Sequence, residues 1–148
     1  MKLRLIPALV IAAALAGCSE PDTPAQILTD ARIEMDARDF ASARKLLDGL
    51  IADSTALTAM DVKQLVTAAE LYTTMALTDN NASPESDEAS AARCLTAARA
   101  IDADSVDTYV NALAVEAANH LRTISSVSAY LECDRDSLLL GEEPDSVE

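Results

Sequence analysis

The chain has few of the residues on which many folds and active sites rely. Its 148 residues include three glycines, one phenylalanine, three tyrosines, a single histidine and no tryptophan, although half of them are hydrophobic. A core of alanine, leucine, isoleucine and valine with so few rings suits helices packed at close range. Scarce glycine, few β-branched runs and no alternating apolar pattern leave little room for strands. The sequence therefore predicts an all-α fold.

The sequence also lacks the motifs that carry common chemistry. No stretch resembles a nucleophile elbow, a glycine-rich phosphate-binding loop or a zinc motif. His120 has no companions for a metal site, which makes it a boundary or solvent-facing residue. Asp102 and Asp104 could be acid/base groups or calcium ligands, but among 25 acidic residues turn and cap roles explain such a pair better. We predict no catalytic residue, no metal and no cofactor, and hence no enzyme.

Positive charge is scarce as well. Eleven lysines and arginines stand against 25 aspartates and glutamates, so the net charge is −14. This balance argues against nucleic acid as a partner, because phosphates require a basic surface. It argues equally against adsorption on anionic lipid headgroups. Solvated helix faces and a basic protein partner both remain compatible with it.

The first residues have the pattern of a targeting segment. Lys2 and Arg4 precede the apolar run "LIPALVIAAALA", which ends in small residues. The run is too short for a permanent span, since about 20 apolar residues are needed to cross a bilayer. We therefore expect a cleavable signal here and exclude it from the fold.

The end of this segment, "LAGC" at residues 15–18, resembles the lipobox of bacterial lipoproteins. The resemblance implies a signal peptide over residues 1–17, a diacylglyceryl group on the Cys18 thiol, and a fatty acid such as palmitate on the new amino terminus. Several acyl chains give stable membrane anchoring. Ser19 takes the place of the aspartate that retains such proteins in the inner membrane, so the outer membrane is expected, in either leaflet. The alternative is an ordinary secretory signal with an incidental cysteine.

The mature chain divides into three parts. Residues 18–24 form the lipidated cysteine and a short tether, residues 25–133 a helical domain, and residues 134–148 an acidic tail expected to be flexible. Five to six helices are predicted from periodicity and caps. They begin near Pro24, Phe40, Val62, Pro84 and Val106, the last running to Leu121, and "TISSVSAYLEC" either continues that helix or forms a sixth.

Three helix starts carry cap signals. Thr23 is placed to cap the first helix, with Pro24 in its first turn. Thr58 and Asp61 have the spacing of a capping box for the third helix. Ser83 resembles a cap for the fourth helix.

The paired helices resemble tetratricopeptide repeats. The match rests on an aromatic turn residue, small residues inside the helices and packing leucines at Phe40, Ala31, Ala43, Leu47, Leu50, Ala91, Leu95 and Ala98. Three features depart from the family: Ala43 and Ala91 lie 48 residues apart instead of about 34, Arg38 stands where the turn favours glycine, and the usual proline after the second helix is absent or replaced by polar sequence such as that around Ser105. The resemblance implies a short α-solenoid with a groove for a protein partner. The alternative is an irregular α-helical bundle.

Two cysteines remain once Cys18 is assigned to lipid attachment. In an oxidising periplasm a disulfide between Cys94 and Cys133 would tie the last helical stretch to the fourth helix, stabilising the fold by roughly 3–4 kcal/mol. The alternative is two separate buried thiols. Tyr72, Tyr109 and Tyr130 are either core rings or anchors of a groove.

Two functions follow as expectations. The first is a lipid-anchored protein-interaction module or adaptor in the bacterial cell envelope, with a protein partner and without nucleic acid. The second is a structural helical-bundle lipoprotein that tethers or stabilises an outer-membrane complex without a peptide-binding groove.

Overall fold

The protein is all-helical. The computed structural model describes residues 22–52, 54–80 and 83–139, with backbone alone at 54 and 130–139. These ranges contain no strand, which confirms the predicted fold class. The helices are α1 (Pro24–Asp36), α2 (Phe40–Leu50), α3 (Ser54–Thr58), α4 (Val62–Thr78), α5 (Pro84–Asn111) and α6 (Val115–Leu139).

The first two helices form a hairpin whose ends are set by local hydrogen bonds. Thr23 caps α1, as predicted, and Gln26 completes a capping box that was not predicted from the sequence. At the other end, the Arg38 N–H donates to the Met35 carbonyl at 2.9 Å and the Asp39 N–H donates to the Glu34 carbonyl at 2.9 Å. This is the Schellman pattern, and its left-handed position is Arg38, with a φ of 64°. The departure from glycine noted in the sequence therefore falls on a strained residue.

Replacing Arg38 by glycine should stabilise the protein by about 0.5–1 kcal/mol, because glycine adopts a positive φ without steric cost. Arg38 is exposed, and its side chain makes no hydrogen bond or ion pair with the described residues that the change would remove. Urea unfolding followed by circular dichroism at 222 nm measures the change. The matched control is Ala37→Gly at the preceding residue, whose φ of −76° is right-handed, where glycine should destabilise. A destabilising Arg38→Gly would contradict the strain argument.

The start of α4 corrects one sequence prediction. Asp61 is the N-cap, and its box partner is Gln64: the Gln64 N–H donates to Asp61 Oδ1 at 2.8 Å, and the Asp61 N–H donates to Gln64 Oε1 at 3.0 Å. The Thr58–Asp61 capping box was therefore the wrong pair. Thr58 instead ends α3, a one-turn helix that the sequence did not predict, and its hydroxyl donates to the Thr55 carbonyl at 2.9 Å.

Two further helix boundaries differ from expectation. Ser83 occupies the cap position before Pro84, but its side chain makes no cap hydrogen bond and its hydroxyl donates to Glu85 Oε2 at 2.8 Å. The helix predicted over Val106 to Leu121 is interrupted at residues 112–114. The apolar spacing is the same in a broken as in a continuous helix, so periodicity could not show the break.

The last helix joins stretches that the sequence had separated. α6 takes in Leu121 together with the "TISSVSAYLEC" segment and extends to Leu139, inside the predicted tail of residues 134–148. Residues 140–148 lie outside the described ranges, so their predicted flexibility stays a prediction.

The core surrounds α4, which packs against α1, α2, α5 and α6. Alanines recur in this core beside larger leucine, valine, isoleucine and methionine side chains. Six alanines have no exposed surface: Ala31, Ala43, Ala68, Ala69, Ala91 and Ala98. Alanine lets helix axes approach towards the short end of the usual range of about 8–10 Å. Close packing of helices through alanines leaves little room for aromatic rings, which agrees with the low aromatic content of the chain.

One ring lies in this core. Tyr72 of α4 is fully buried, and its hydroxyl donates to Asp48 Oδ1 of α2 at 2.7 Å. Burial, helped by this hydrogen bond, raises the pKa of Tyr72 far above its ordinary value, so the phenol keeps its proton. Tyr72 is therefore a core residue, one of the two roles left open by the sequence.

A buried ion pair joins α2 to α5. Arg44 Nε and Nη2 donate to the two carboxylate oxygens of Asp87 at 2.8 and 2.6 Å, and Nη2 also donates to Asp79 Oδ2 at 3.1 Å. The Asp87 side chain is 2% exposed. The hydrogen bond to Asp87 is the main reason that the pKa of Arg44 rises above its already high ordinary value. This Arg44 cluster therefore holds α2, the end of α4 and the first turn of α5 together.

Candidate functional site

Two adjoining hollows lie along α1, the start of α4 and α5. The first has a volume of about 420 Å³ and is lined by Ala25, Leu28, Thr29, Arg32, Asp61, Lys63, Gln64 and Thr67. The second has a volume of about 590 Å³ and is lined by Thr58, Met60, Asp61, Val62, Lys63, Ile101, Ser105 and Tyr109. Because Asp61 and Lys63 belong to both, the hollows form one surface, called here the Lys63 face.

The capping box of α4 places the charge at the centre of this face. Asp61 and Gln64 bond to each other, which fixes the first turn of α4 and with it Lys63. Lys63 is exposed and makes no ion pair within the described part of the chain. A cation in the first turn of a helix is also disfavoured by the helix dipole. Lys63 therefore offers an uncompensated ammonium group on a strongly acidic protein.

Arg32 supplies the second cation of the face. Its Nη2 donates to Glu70 Oε2 at 2.9 Å, which joins α1 to α4. Half of the Arg32 side chain remains exposed, so its stem and outer edge contribute to the hollow. An exposed pair of this kind adds little stability.

The far side of the Lys63 face is apolar. Ile101 is 54% exposed and Tyr109 is 37% exposed, and both line the hollow that includes Lys63. The Tyr109 hydroxyl has no hydrogen-bond partner among the described residues. Tyr109 is thus not a buried core ring, and its role as the anchor of a binding groove stays a prediction. The side chain of Tyr130 lies outside the described residues.

Asp102 sets the path of the α5 backbone on the side of the Lys63 face that carries Ile101 and Tyr109. Its backbone is extended, at φ −161° and ψ 102°, which divides α5 into two helical segments. Asp102 Oδ1 accepts from the N–H groups of Asp104 and Ser105 at 3.1 and 3.2 Å, and Oδ2 accepts from the Ser105 hydroxyl at 2.6 Å. The bonds from Ser105 are the main reason that the pKa of Asp102 is lowered. The cap role predicted for this pair is confirmed at Asp102, whose two oxygens are both occupied.

His120 lies at a boundary, as expected. Its Nε2 is 2.9 Å from Glu88 Oε1, so the contact links α6 to α5, and the His120 side chain is 28% exposed. No group of three histidine, cysteine, aspartate or glutamate side chains within the described ranges could hold a metal ion.

The cysteines are only partly covered by the structure. Cys94 is fully buried and forms no disulfide with any residue whose side chain is described; burial raises the pKa of its thiol to about 12, which keeps a thiol at this position protonated. The side chain of Cys133 lies outside the described residues, so a disulfide between them stays a prediction. Cys18, the predicted lipidation residue, also lies outside them, so its role stays a prediction.

The chain matches no protein-family model, no curated protein and no solved structure. Of the helices that are described, none combines the length and apolar character needed to cross a membrane.

Proposed function

We propose that this protein is a lipid-anchored interaction module of the bacterial cell envelope, and that the Lys63 face binds a segment of a partner protein. The proposal rests above all on Tyr109 and Ile101, which stand exposed beside the unpaired Lys63 in one hollow. Anchoring through Cys18 rests on the lipobox, and the outer membrane rests on Ser19.

Tyr109 and Arg32 are the two residues of the Lys63 face whose types most often carry binding energy in protein interfaces. Tyrosine combines a large apolar ring with a polar tip and is enriched among interface hot spots. A bound segment would cover the exposed part of Ile101 and provide a partner for the Tyr109 hydroxyl. Lys63 adds selection for a carboxylate, which the surrounding acidic surface would otherwise repel.

Binding explains the face better than catalysis. Three of its polar side chains are engaged in holding helices: Asp61 and Gln64 cap α4, and Ser105 bonds to Asp102. The resemblance to tetratricopeptide repeats supports the same conclusion, since such helix pairs present grooves to peptides.

A structural lipoprotein is the second candidate, and the Arg44 cluster favours it. The cluster joins three elements into one stiff unit, which suits a spacer that tethers an outer-membrane complex. The two functions differ in whether the Lys63 face is occupied in the cell.

Site-specific photo-cross-linking in living cells tests the proposal. With a benzophenone amino acid at position 109, we expect a discrete cross-linked product that disappears when Lys63→Glu is added. The control position is 115, because Val115 is 76% exposed but lines neither hollow. Similar products from both positions, or none from position 109, would contradict a binding face and favour the structural role.

A further inference from the structure

A second surface, separate from the Lys63 face, lies between α5 and α6. The buried residues of α6 with described side chains are Ala117, Ala118, Leu121 and Ile124. After Ile124, residues 125–129 are half-buried or exposed. The first half of α6 therefore packs on the core, whereas Val127, one turn beyond Ile124, is left 53% exposed by the described part of the chain.

The space beside this exposed part of α6 is an apolar groove of about 400 Å³. It is lined by Glu85, Glu88, Ala89, Ala92, His120, Thr123, Ile124, Val127 and Ser128. On the α5 side, the small side chains of Ala89 and Ala92 leave space in the groove. On the α6 side, Val127 is 53% exposed. A channel with small residues on one side and branched aliphatic residues on the other accepts the ridge of an amphipathic helix, whose anchors recur at i, i+3 and i+4.

The rim of this α5–α6 groove is negative. Glu85 and Glu88 lie along α5, and neither lysine nor arginine lines the groove. Hydrogen bonds from its own backbone N–H and from the Ser83 hydroxyl lower the pKa of Glu85, so this carboxylate stays ionised. His120 is the basic side chain among the residues that line this groove, and it contacts Glu88. The surface therefore combines an apolar floor with an acidic edge.

We propose that the α5–α6 groove binds a basic amphipathic helix of a partner protein. Its apolar residues would cover Ile124 and Val127, and its lysines or arginines would lie beside Glu85 and Glu88. Electrostatic attraction to a chain of net charge −14 would accelerate the encounter.

Charge disfavours the two other occupants. A second copy of this chain would bring another net charge of −14 to the groove. The segment of residues 140–148 contains Glu142, Glu143, Asp145 and Glu148 and would place like charges next to the acidic rim. Both therefore serve as alternative outcomes of the experiment.

Fluorescence anisotropy with three labelled peptides tests the proposal on the full chain. The first is a lysine-flanked leucine helix of about 18 residues, which spans roughly 27 Å. The second carries glutamate for each lysine, and the third has the composition of the first with its leucines out of helical phase. We expect the first to bind at least tenfold more tightly than either of the others. The third peptide separates helix recognition from general attraction to an acidic protein.

Protein variants locate the binding. Val127→Glu should weaken binding of the first peptide about tenfold, equivalent to about 1.4 kcal/mol. Glu85→Gln combined with Glu88→Gln should weaken it severalfold and reduce its dependence on salt. The control Val115→Glu changes an exposed valine outside the groove and should alter affinity less than twofold. Because Val127 is itself exposed, its variant should fold, which circular dichroism verifies.

Four results would overturn the proposal. In the peptide experiment, they are equal affinity for the first and third peptides and an equal loss of affinity in Val115→Glu and Val127→Glu. The other two are a dimer in sedimentation that Val127→Glu abolishes and a tenfold gain in peptide affinity when residues 140–148 are removed. The third result would assign the groove to a second copy, and the fourth to the chain's own end. None of these results depends on whether cross-linking at position 109 succeeds, so the experiments test the two surfaces independently.

Discussion

Arg44→Met is expected to lower the free energy of unfolding by about 3–5 kcal/mol, since removal of one partner leaves a buried carboxylate without compensation. The Asp87 side chain is 2% exposed and would lose two charge-assisted hydrogen bonds. Because domains of this kind have stabilities of about 5–15 kcal/mol, the loss would be a large fraction of the total. Urea unfolding followed by circular dichroism at 222 nm gives the difference.

The chain offers two controls for this variant. Arg99→Met removes an ion pair with Asp107 whose closest atoms are 3.5 Å apart and whose partners are 46% and 71% exposed, so the change should stay within about 0.5 kcal/mol. Adding Asp87→Leu to Arg44→Met removes the stranded charge and should recover much of the stability. A loss below about 1 kcal/mol for Arg44→Met would show that the cluster is incidental.

Cys18→Ala is expected to move the protein from the membrane fraction to the soluble fraction. Each buried methylene contributes about 0.8 kcal/mol, and a second acyl chain turns marginal binding into stable attachment. With the lipid absent, a mature chain of net charge near −16 has no attraction to anionic headgroups. Fractionation of cells by sedimentation and immunoblotting measures the shift.

The matched control for the anchor is Ser19→Asp. It leaves the cysteine intact, so the protein should remain membrane-bound but move to the inner membrane in a sucrose gradient. Inhibition of lipoprotein signal cleavage should separately accumulate a larger precursor. Continued membrane association of Cys18→Ala would contradict the anchor.

Local signals in the sequence predicted much of the fold. Thr23, Gln26 and Pro24 lie within one turn, and their side-chain chemistry defines the start of α1 without help from the rest of the chain. The assignment at Thr58 and Asp61 went wrong because two overlapping pairs had the same spacing, and only the path of the backbone decides between them. The longer helices and the start of α1 were therefore predictable, whereas the short α3 and the break at residues 112–114 were not.

Contacts between distant residues could not be read from the sequence. Arg44 and Asp87 are 43 positions apart, and among 25 acidic residues nothing in the local pattern marks Asp87 as the buried one. Tyr72 and Tyr109 show the same limit, because both lie at helical positions among apolar neighbours. Their roles diverge only once the helices pack and leave Tyr109 beside Lys63.

The six fully buried alanines also limit how this sequence can diverge. A side chain larger than alanine at a close helix contact would force the backbones apart, and such overpacking costs about 1–3 kcal/mol. Substitution at these sites can therefore reduce volume, to glycine, but can hardly add to it. Exposed positions of the same helices carry no such limit. Relatives of this protein should accordingly differ widely in their surface residues but keep small side chains at these six positions. What they share there would be side-chain volume rather than residue identity.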